Sequence, residues 1–589
     1  MQLNTLDWWV VVGCLAAAFA PALWFARRAG RGTDEFFASG RAAPWWLIGT
    51  SMVATTFSTD TPNLVTDLVR SGGVSANWAW WAFLITGMAT VFLYARMWRR
   101  SDVLTDLEFY ELRYSGRAAA AVRGIRAVYL GLLFNVVIMA TVTLAAVKIA
   151  HVLLGWERST TLVVCFVLCV GFSVLSGLWG VLVADIVQFA VAMVGVIAAA
   201  HAALSAPQVG GLQGLVDRLD PQTLAFFPDP GNMTVFVSVL VVPLAVQWWA
   251  MWYPGSEPGG GSYIAQRMLA ARDENHALKA VLWFNLAHYA LRPWPWILVA
   301  LASMLVFPAL DDISTALPHV SPDLIGNDIA YPAMLTLLPH GLLGLLVASL
   351  ASAYVSTMST HLNWGASYLV HDLYRRFVRP ESSERHLVRV SRAATVVLMV
   401  CAALFTLFIA TAGEGFRLLL SFGAGTGLIY LLRWYWWRIT AWSEIAAMVV
   451  SFAATVAIHF LRRSGSMDMS NDAALLWTVS ITTGAWLVVT FLGPRTNRET
   501  LLRFVRRVRP AGPGWKGFHG AEEGPSDDLP RALLAWSLGT LGVYALLLAT
   551  GSLLLGHAVR GVILIVIAIA SGAALARVWF SKGVRAEQP

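Results

Sequence analysis

The sequence predicts an all-α polytopic membrane protein with about 15 membrane-spanning helices, of which ten form two inverted five-helix repeats. Three observations predict this fold class. Hydrophobic residues make up 57% and charged residues only 13% of the 589 residues, a composition that soluble domains do not have. Apolar stretches long enough to cross a bilayer recur along the chain. Two of these stretches, five spans apart, are interrupted by polar or Gly- and Pro-rich sequence.

The predicted spans follow one another from one end of the chain to the other. They lie at about residues 8–27, 44–69, 75–98, 127–155, 159–177, 181–206, 233–252, 278–307, 341–373, 390–412, 416–433, 441–461, 474–493, 532–556 and 560–579. The first apolar run lacks the basic region and the cleavage site of a signal peptide. We therefore expect it to remain as the first helix.

This order of spans divides the chain into six predicted segments. They are an N-terminal extra helix and loop (1–43), a first repeat (44–206), a second repeat (233–438), additional membrane helices (439–493), a cytoplasmic linker (494–531), and a C-terminal hairpin and tail (532–589). Each repeat holds five spans, so the two repeats begin on opposite sides of the membrane. That relation is typical of an inverted repeat.

The positive charges predict the orientation. Basic residues fall at 27–41, 96–126, 267–279, 375–392 and 433–438, in the 494–531 loop and in the tail, about thirty on one side against about seven on the other. The positive-inside rule then places the N-terminus outside and the C-terminus in the cytoplasm of an inner (plasma) membrane. The net charge of +8 follows from this topology, and we expect no nucleic-acid partner.

The predicted span at 341–373 has a polar but uncharged face. Ala353, Ser356, Thr357 and Thr360 recur at helical spacing and share this face. Neutral oxygens at mid-membrane depth suit a small hard cation that has lost its water. Alternatively, small residues let neighbouring helices approach while each hydroxyl bonds a carbonyl of its own helix.

The two interrupted spans indicate where a solute binds. The second span contains TTFSTDTPN, in which Pro62 removes a backbone donor, and the seventh runs into QWWAMWYPGSEPGGGSYIAQR. Irregular backbone at membrane depth is tolerated only where it faces protein or a water-filled cavity. We therefore expect a binding site between the two interruptions.

Several ionisable residues fall within predicted spans, where each needs a partner or a function. Asp60 lies in the polar stretch of the second span, and Asp185 opens the sixth span close to its cytoplasmic end. Arg292 lies nearer a span end, where snorkelling or end-capping is expected. His288 and His361 suit packing better than proton relay.

Four stretches carry a family resemblance: FFASGRAAPWWLIGTSMVATTFS, SGLWGVLVADIVQ, YIAQRMLAARDENHALKA and GLLGLLVASLASAYVSTMSTHLNWGASYLVHDLY. In order and spacing, over about residues 35–460, they resemble the sodium:solute symporter family, which includes sodium-coupled carriers of sugars, proline, sialic acid, pantothenate and iodide. The resemblance implies a leucine-transporter-type fold with an extra N-terminal helix.

The resemblance also implies ion sites. The common sodium site would comprise the carbonyl oxygens of Ala54, Phe57 and Ala353 and the hydroxyls of Ser356 and Thr357. A second sodium site, found in some members, would comprise Asp185, Ser356, Ser359 and Thr360. Asp185 could equally shape the exit route of a single ion.

The family positions that line the solute pocket correspond to Thr55, Thr56, Thr61, Asn63, Gln247, Trp248 and Trp249. The stretch WAMWYPGSEPGGGS is longer and richer in glycine than the family pattern, so the resemblance does not identify the solute.

The expected function is sodium-coupled secondary active symport, importing a small organic solute (sugar, amino acid or carboxylate) by alternating access. Sodium is the expected coupling ion, and no organic cofactor is expected. The sequence contains no metal cluster, no nucleophile with its base and no phosphate loop, so we expect no enzyme. Two alternatives remain open: proton coupling through Asp60, Asp185 or His361, and a non-transporting membrane sensor. The sequence makes no prediction about oligomeric state.

Overall fold

The computed structural model describes residues 3–29, 32–253, 255–409, 423–518 and 527–580. Every regular element in these ranges is helical, and the β structure within them is limited to an isolated bridge between Ala43 and Ala271. The all-α prediction is confirmed.

The first half of the described chain contains six principal helices. They are α1 (Thr5–Ala29), α2 (Trp45–Thr56), α3 (Asp60–Gly72), α4 (Val74–Ser101, with π-helical turns at Thr90–Tyr94), α5 (Gly116–Leu154, with π-helical turns at Tyr129–Phe134) and α6 (Arg158–Leu204). Shorter helices lie between them at Thr33–Ala38 and Phe109–Arg113, and Gly211–Arg218 and Pro221–Leu224 follow α6.

The second half contains eleven further principal helices. They are α7 (Met233–Ala250), α8 (Ser262–Leu269), α9 (Glu274–Val306), α10 (Leu342–Ser367), α11 (Glu384–Phe405), α12 (Gly427–Leu432), α13 (Ala441–Arg463), α14 (Asn471–Leu492), α15 (Arg498–Val508), α16 (Leu529–Leu554) and α17 (Ala558–Leu575). Helix α10 continues in π-helical turns to Val378, and short helices at Leu310–Ala316 and Ala330–Leu335 join α9 to α10.

Within the described residues, 12 helices are long and apolar enough to span a membrane. The predicted span at 44–69 is divided into α2 and α3, and the predicted span at 416–433 lies partly outside the described residues. Helix α6 contains two predicted spans. Its 47 residues would measure about 70 Å, more than twice the bilayer core, and the backbone leaves helical geometry at Gly177 (φ 52°, ψ −173°).

Both predicted interruptions are present. The first comprises residues 57–59, between the end of α2 and the start of α3. The second separates Ala250 from Ser262, and within it Gly255, Gly259 and Gly260 have φ between 71° and 83°. Because side chains disfavour that region of φ, the glycines permit this irregular path.

Helix α2 lies at the centre of the bundle. It packs against α6, α9 and α10, while α10 also packs against α6 and α1. Nearly every residue of α10 beyond its first turns is buried. In contrast, α13, α14 and α17 expose large apolar side chains such as Phe452, Trp477 and Ile569 along their lengths, as lipid-facing helices do. The hydroxyl-bearing face of α10 is therefore directed into protein.

Candidate ion and solute sites

The C-terminal end of α2 and the middle of α10 meet through hydroxyl and carbonyl groups. The Thr357 hydroxyl lies 2.8 Å from the Thr55 carbonyl oxygen and 3.1 Å from the carbonyl oxygen of Ala353 on its own helix. The hydroxyl therefore has a carbonyl partner on its own helix, as the helix-packing interpretation expects, and a second one on α2. Ser359, in contrast, donates only within α10, to the Ser356 carbonyl at 3.0 Å.

The end of α2 supplies further oxygens beside α10. The Phe57 N–H is shared between the carbonyls of Val53 and Ala54, at 2.9 and 3.1 Å, and the chain then leaves the helix. The last carbonyls of a helix have no partner within it. The residues that the resemblance assigns to the common sodium site are all at most 2% exposed. Neutral carbonyl and hydroxyl oxygens are the ligands that a hard cation prefers, so the donor set fits sodium.

Arg267 is the residue near the candidate ion site whose position the sequence analysis missed most clearly. The charge pattern assigns it to the cytoplasmic surface, but its side chain is 0% exposed. The structure corrects that assignment. The guanidinium donates to three hydroxyls and one carbonyl: Ser51 Oγ (2.9 Å), Thr360 Oγ1 (2.6 Å), Thr55 Oγ1 (3.3 Å) and Tyr263 O (3.4 Å).

Asp185 lies beside this guanidinium. Its carboxylate accepts hydrogen bonds from Ser51 and, at 2.6 Å, from Ser356, and it lies 3.9 Å from Arg267 Nη2. Arg267 and Asp185 are both fully buried, so each compensates the charge of the other.

The residues of the predicted second sodium site therefore already have partners. Asp185 and Ser356 are bonded to each other, and the Thr360 hydroxyl contacts Arg267 and Thr55. The positive charge beside this carboxylate comes from the protein itself.

A cavity lies between the first interruption, α5, α9 and α10. Its volume is about 70 Å³, which is room for about five water molecules. It is lined by Thr55, Thr56, Ser58, Asp60, Thr61, Leu64, Val65, Trp80, Ile138, Thr141, Val142, Tyr253, Tyr263, His288, Tyr289, Arg292, Thr357 and His361. Because Thr55 and Thr357 belong both to this lining and to the α2–α10 contact, the candidate ion and solute sites are adjacent.

The sequence analysis placed Arg292 near a span end, where snorkelling is expected, but the structure buries it to 1% exposure in the cavity wall. Helix α9 has π-helical turns at Ala287–Leu291 and a proline at 293, and the Arg292 N–H bonds the carbonyl five residues earlier. Such π-helical turns change where a side chain is directed and are frequent at functional sites. The guanidinium also packs over the Trp296 ring, 5.1 Å from its centroid.

His288 and Thr56 hold the Arg292 side chain. Arg292 Nη1 lies 3.1 Å from the Thr56 hydroxyl, and Nη2 lies 3.1 Å from His288 Nε2. A guanidinium can only donate, so His288 Nε2 accepts and the ring proton is on Nδ1, 3.0 Å from the Thr56 hydroxyl. His288 is therefore neutral in this arrangement, with both ring nitrogens in hydrogen bonds.

Asp60 introduces the opposite charge into the same cavity. It begins α3, is half-buried, and accepts a hydrogen bond from Ser58. Among the described residues no cation lies within 4.0 Å of its carboxylate. It also lines the cavity with Arg292.

The structure divides the predicted solute residues into two groups. Thr55, Thr56 and Thr61 line the cavity, whereas Asn63, Gln247, Trp248 and Trp249 lie outside its lining. Both indoles donate to carbonyls four residues earlier in their own helix, and the Gln247 amide donates to the Ala79 carbonyl at 2.6 Å. Helix α7 continues to Ala250, so the tryptophan pair precedes the second interruption.

Aromatic residues missed by the sequence analysis form much of the wall. Tyr253 lies within the second interruption and Tyr263 just after it, while Trp80 stacks on Tyr289 with ring centroids 5.8 Å apart. Tyr253 and Tyr263 flank the glycine-rich stretch in sequence, and that position was the available signal.

Comparison with known proteins agrees with this architecture. Residues 36–451 match the sequence model of the sodium:solute symporter family. A sodium/glucose cotransporter of Vibrio parahaemolyticus is 24% identical over 78% of this chain and 86% of its own length. A sodium/mannose cotransporter of Bos taurus is 26% identical over 68% of each chain.

A solved structure supports the fold. The substrate-bound, outward-open state of a Na⁺-coupled sialic acid symporter aligns with a TM-score of 0.66 at 18% identity, over 84% of this chain and 99% of that chain. This confirms the predicted leucine-transporter-type fold class. The family match covers most of the chain, and the protein is a multi-pass, sodium-coupled membrane transporter, not an enzyme. The chain therefore belongs to the sodium:solute symporter family.

Proposed function

We propose that the protein imports a small organic solute (a sugar, an amino acid or a carboxylate) by alternating access, driven by one sodium ion bound between α2 and α10. The observation that supports this most directly is the position of the Thr357 hydroxyl, within 3.1 Å of carbonyl oxygens from both helices. The same proposal includes two inverted repeats, at 44–206 and 233–438, an external N-terminus and a location in the plasma membrane.

Sodium would bind to the carbonyls of Ala54, Phe57 and Ala353 and the hydroxyls of Ser356 and Thr357. An ion with ligands on both helices stabilises the conformation in which α2 and α10 are close. Thr55 and Thr357 also line the solute cavity, so that conformation holds the cavity wall in place. By linkage, sodium raises the affinity for solute, and solute raises the affinity for sodium by the same factor.

The stoichiometry of one sodium ion rests on Arg267. A second sodium at Asp185 would have to share the carboxylate with a guanidinium 3.9 Å away and compete for the Thr360 hydroxyl. Two cations beside the same buried carboxylate repel each other inside a protein. Arg267 therefore takes the place of a second ion in this proposal.

Two groups of contacts would alternate during transport. At the C-terminal end of α3, Arg70 donates to the carbonyls of Ser303 and Phe307, at 3.1 and 2.9 Å. Beyond α10, Arg123 contacts Asp372 at 2.7 Å and Glu111 at 2.6 Å. Opening toward either side of the membrane would break one group and keep the other.

Binding of radiolabelled sodium to the purified protein tests this function without a known solute. We expect saturable binding with a Hill coefficient near one. Ser356→Ala and Thr357→Ala should each weaken it by roughly 10- to 100-fold, because each removes an ion ligand worth about 1.5–3 kcal/mol. Ser349→Ala is the matched control, since Ser349 is buried on the same helix but donates to the Ala192 carbonyl at 3.2 Å.

Three outcomes would contradict the proposal. Wild-type sodium affinity in both folded variants would place the ion elsewhere. Absence of sodium binding, together with uptake driven by a pH gradient, would favour proton coupling. A Hill coefficient near two that falls to one in Asp185→Asn would restore the second site.

A further inference from the structure

The cavity presents a guanidinium whose hydrogen-bonding capacity is only partly used. Arg292 has five N–H groups, and three are directed at the Thr56 hydroxyl, the His288 ring and, at 3.3 Å, the His288 carbonyl. One N–H on each terminal nitrogen remains. Among the described residues no carboxylate forms an ion pair with this side chain. Two N–H groups on a rigidly held planar fork suit a carboxylate.

Asp60 provides the complementary charge. Its carboxylate lines the same cavity and accepts a hydrogen bond from the Ser58 hydroxyl, yet it is not within ion-pair distance of Arg292. Holding two opposite charges apart in the wall of one cavity costs free energy unless something in the space between them compensates both. The cavity is about 70 Å³, so only a small molecule can do this.

We propose that the transported solute is a small zwitterion whose carboxylate binds Arg292 and whose ammonium group binds Asp60. This inference rests on the proposed symport function and names the solute class. A molecule of α-amino-acid or betaine type carries both charges on a short frame, and its charges match the two sides of the cavity.

The rest of the wall fits this class. Trp80, Tyr253 and Tyr289 belong to the lining, and aromatic rings attract an ammonium group. Apolar side chains complete the lining and suit a small hydrocarbon frame: Leu64, Val65, Ile138 and Val142. The lining contains no Asn or Gln, and a neutral sugar would leave both charged groups without a counter-charge.

Matched probes test the charge requirement. The melting temperature of the purified protein in sodium is measured with the common L-amino acids and glycine betaine. Each compound that stabilises is then compared with analogues that lack one charge. For L-proline these are pyrrolidine, which lacks the carboxylate, and cyclopentanecarboxylate, which lacks the ammonium group. D-Glucose is the neutral probe. We expect at least one zwitterion to raise the melting temperature, and its analogues and glucose to have no effect.

Variants then assign the two charges. Arg292→Gln and Asp60→Asn should each weaken binding of that zwitterion by about 100-fold, since each removes a charge-assisted contact. Arg560→Gln is the matched control, because Arg560 at the start of α17 lies outside the cavity lining and contacts Ser552 on α16 and the Phe226 ring. Arg292→Lys keeps the positive charge but not the planar guanidinium, and it should retain partial binding of the zwitterion. This variant keeps the proposal testable if Arg292→Gln does not fold.

The proposal is overturned if no zwitterion stabilises the wild-type protein, if glucose or a singly charged analogue stabilises it equally, or if neither variant weakens binding. Failure of the proposed function is distinguishable. If the proposed function is wrong, sodium alone will not stabilise the wild-type protein, a measurement that needs no solute. If only the zwitterion proposal is wrong, sodium will still stabilise the wild type, Arg292→Gln and Asp60→Asn.

Discussion

Two buried arginines, Arg267 and Arg292, occupy similar positions but have different surroundings. Each contacts the end of α2, one through the Thr55 hydroxyl and the other through the adjacent Thr56 hydroxyl. Arg267 directs its guanidinium at four protein oxygens and has Asp185 3.9 Å away. Arg292 has three protein partners, no carboxylate within ion-pair distance among the described residues, and a cavity in front of it.

This difference separates a structural charge from a binding charge. A guanidinium whose donors and counter-charge all come from the protein stabilises the helix packing around it. A guanidinium with spare donors facing a cavity is available to a ligand. In our proposal the first type lies beside the ion site, where it substitutes for a second cation, and the second lies in the solute site.

The largest expected effect is on stability, at Arg267. Arg267→Met should lower the free energy of unfolding by roughly 3–5 kcal/mol, because it leaves Asp185 buried without a counter-charge. Thermal unfolding of the purified protein measures this. The double variant Arg267→Met with Asp185→Asn should recover much of the loss, since it removes both charges.

If the double variant loses as much free energy of unfolding as the two single variants together, Arg267 and Asp185 are not coupled. Arg267 and Asp185 would then be independent packing residues, and the comparison with Arg292 would lose its basis.

A smaller stability effect is expected at Arg292. Arg292→Gln should cost roughly 1–2 kcal/mol, because it removes hydrogen bonds without isolating a carboxylate in direct contact. Solute uptake should be lost in the same variant while sodium still stabilises it. A stability loss as large as that of Arg267→Met would instead identify Arg292 as a structural charge.

The local features of this site could be predicted from sequence, whereas its long-range pairs could not. TTFSTDTPN and PGSEPGGGS indicate broken helices because proline and glycine act on their own backbone. The hydroxyl face of α10 follows from helical spacing alone. The partners of Arg267, in contrast, are 82 to 216 positions away in the chain, at Ser51, Asp185 and Thr360. Only the folded bundle brings them together.

The position of Trp248 and Trp249 outside the cavity lining has a different cause. The sequence locates the second interruption within a few residues, but helix α7 persists through Ala250. A shift of a few residues changes the helix face that a side chain occupies, and helix ends are the least certain feature of a sequence-based prediction. The cavity is lined instead by Tyr253 and Tyr263.

The smallest expected effect follows from that placement. Trp249→Phe should leave uptake unchanged and should change the free energy of unfolding by no more than about 0.5 kcal/mol. Among the described residues its indole N–H bonds a carbonyl of its own helix, and the side chain lies outside the cavity lining. Trp80→Phe, at the cavity wall, is the comparison variant and should reduce solute affinity. A strong uptake defect in Trp249→Phe would return the tryptophan pair to the solute site.

The most direct test of sodium binding between α2 and α10 is the melting temperature of the purified protein in sodium and in choline at equal ionic strength, for the wild type, Thr357→Ala and Thr357→Ser. A ligand that binds only the folded state stabilises it by roughly 2.7 kcal/mol at one hundred times its dissociation constant. We expect a sodium-specific rise in the wild type, its retention in Thr357→Ser, which keeps the hydroxyl, and its loss in Thr357→Ala. An equal melting temperature in the two salts, or a full sodium-specific rise in Thr357→Ala, would contradict the ion site proposed here.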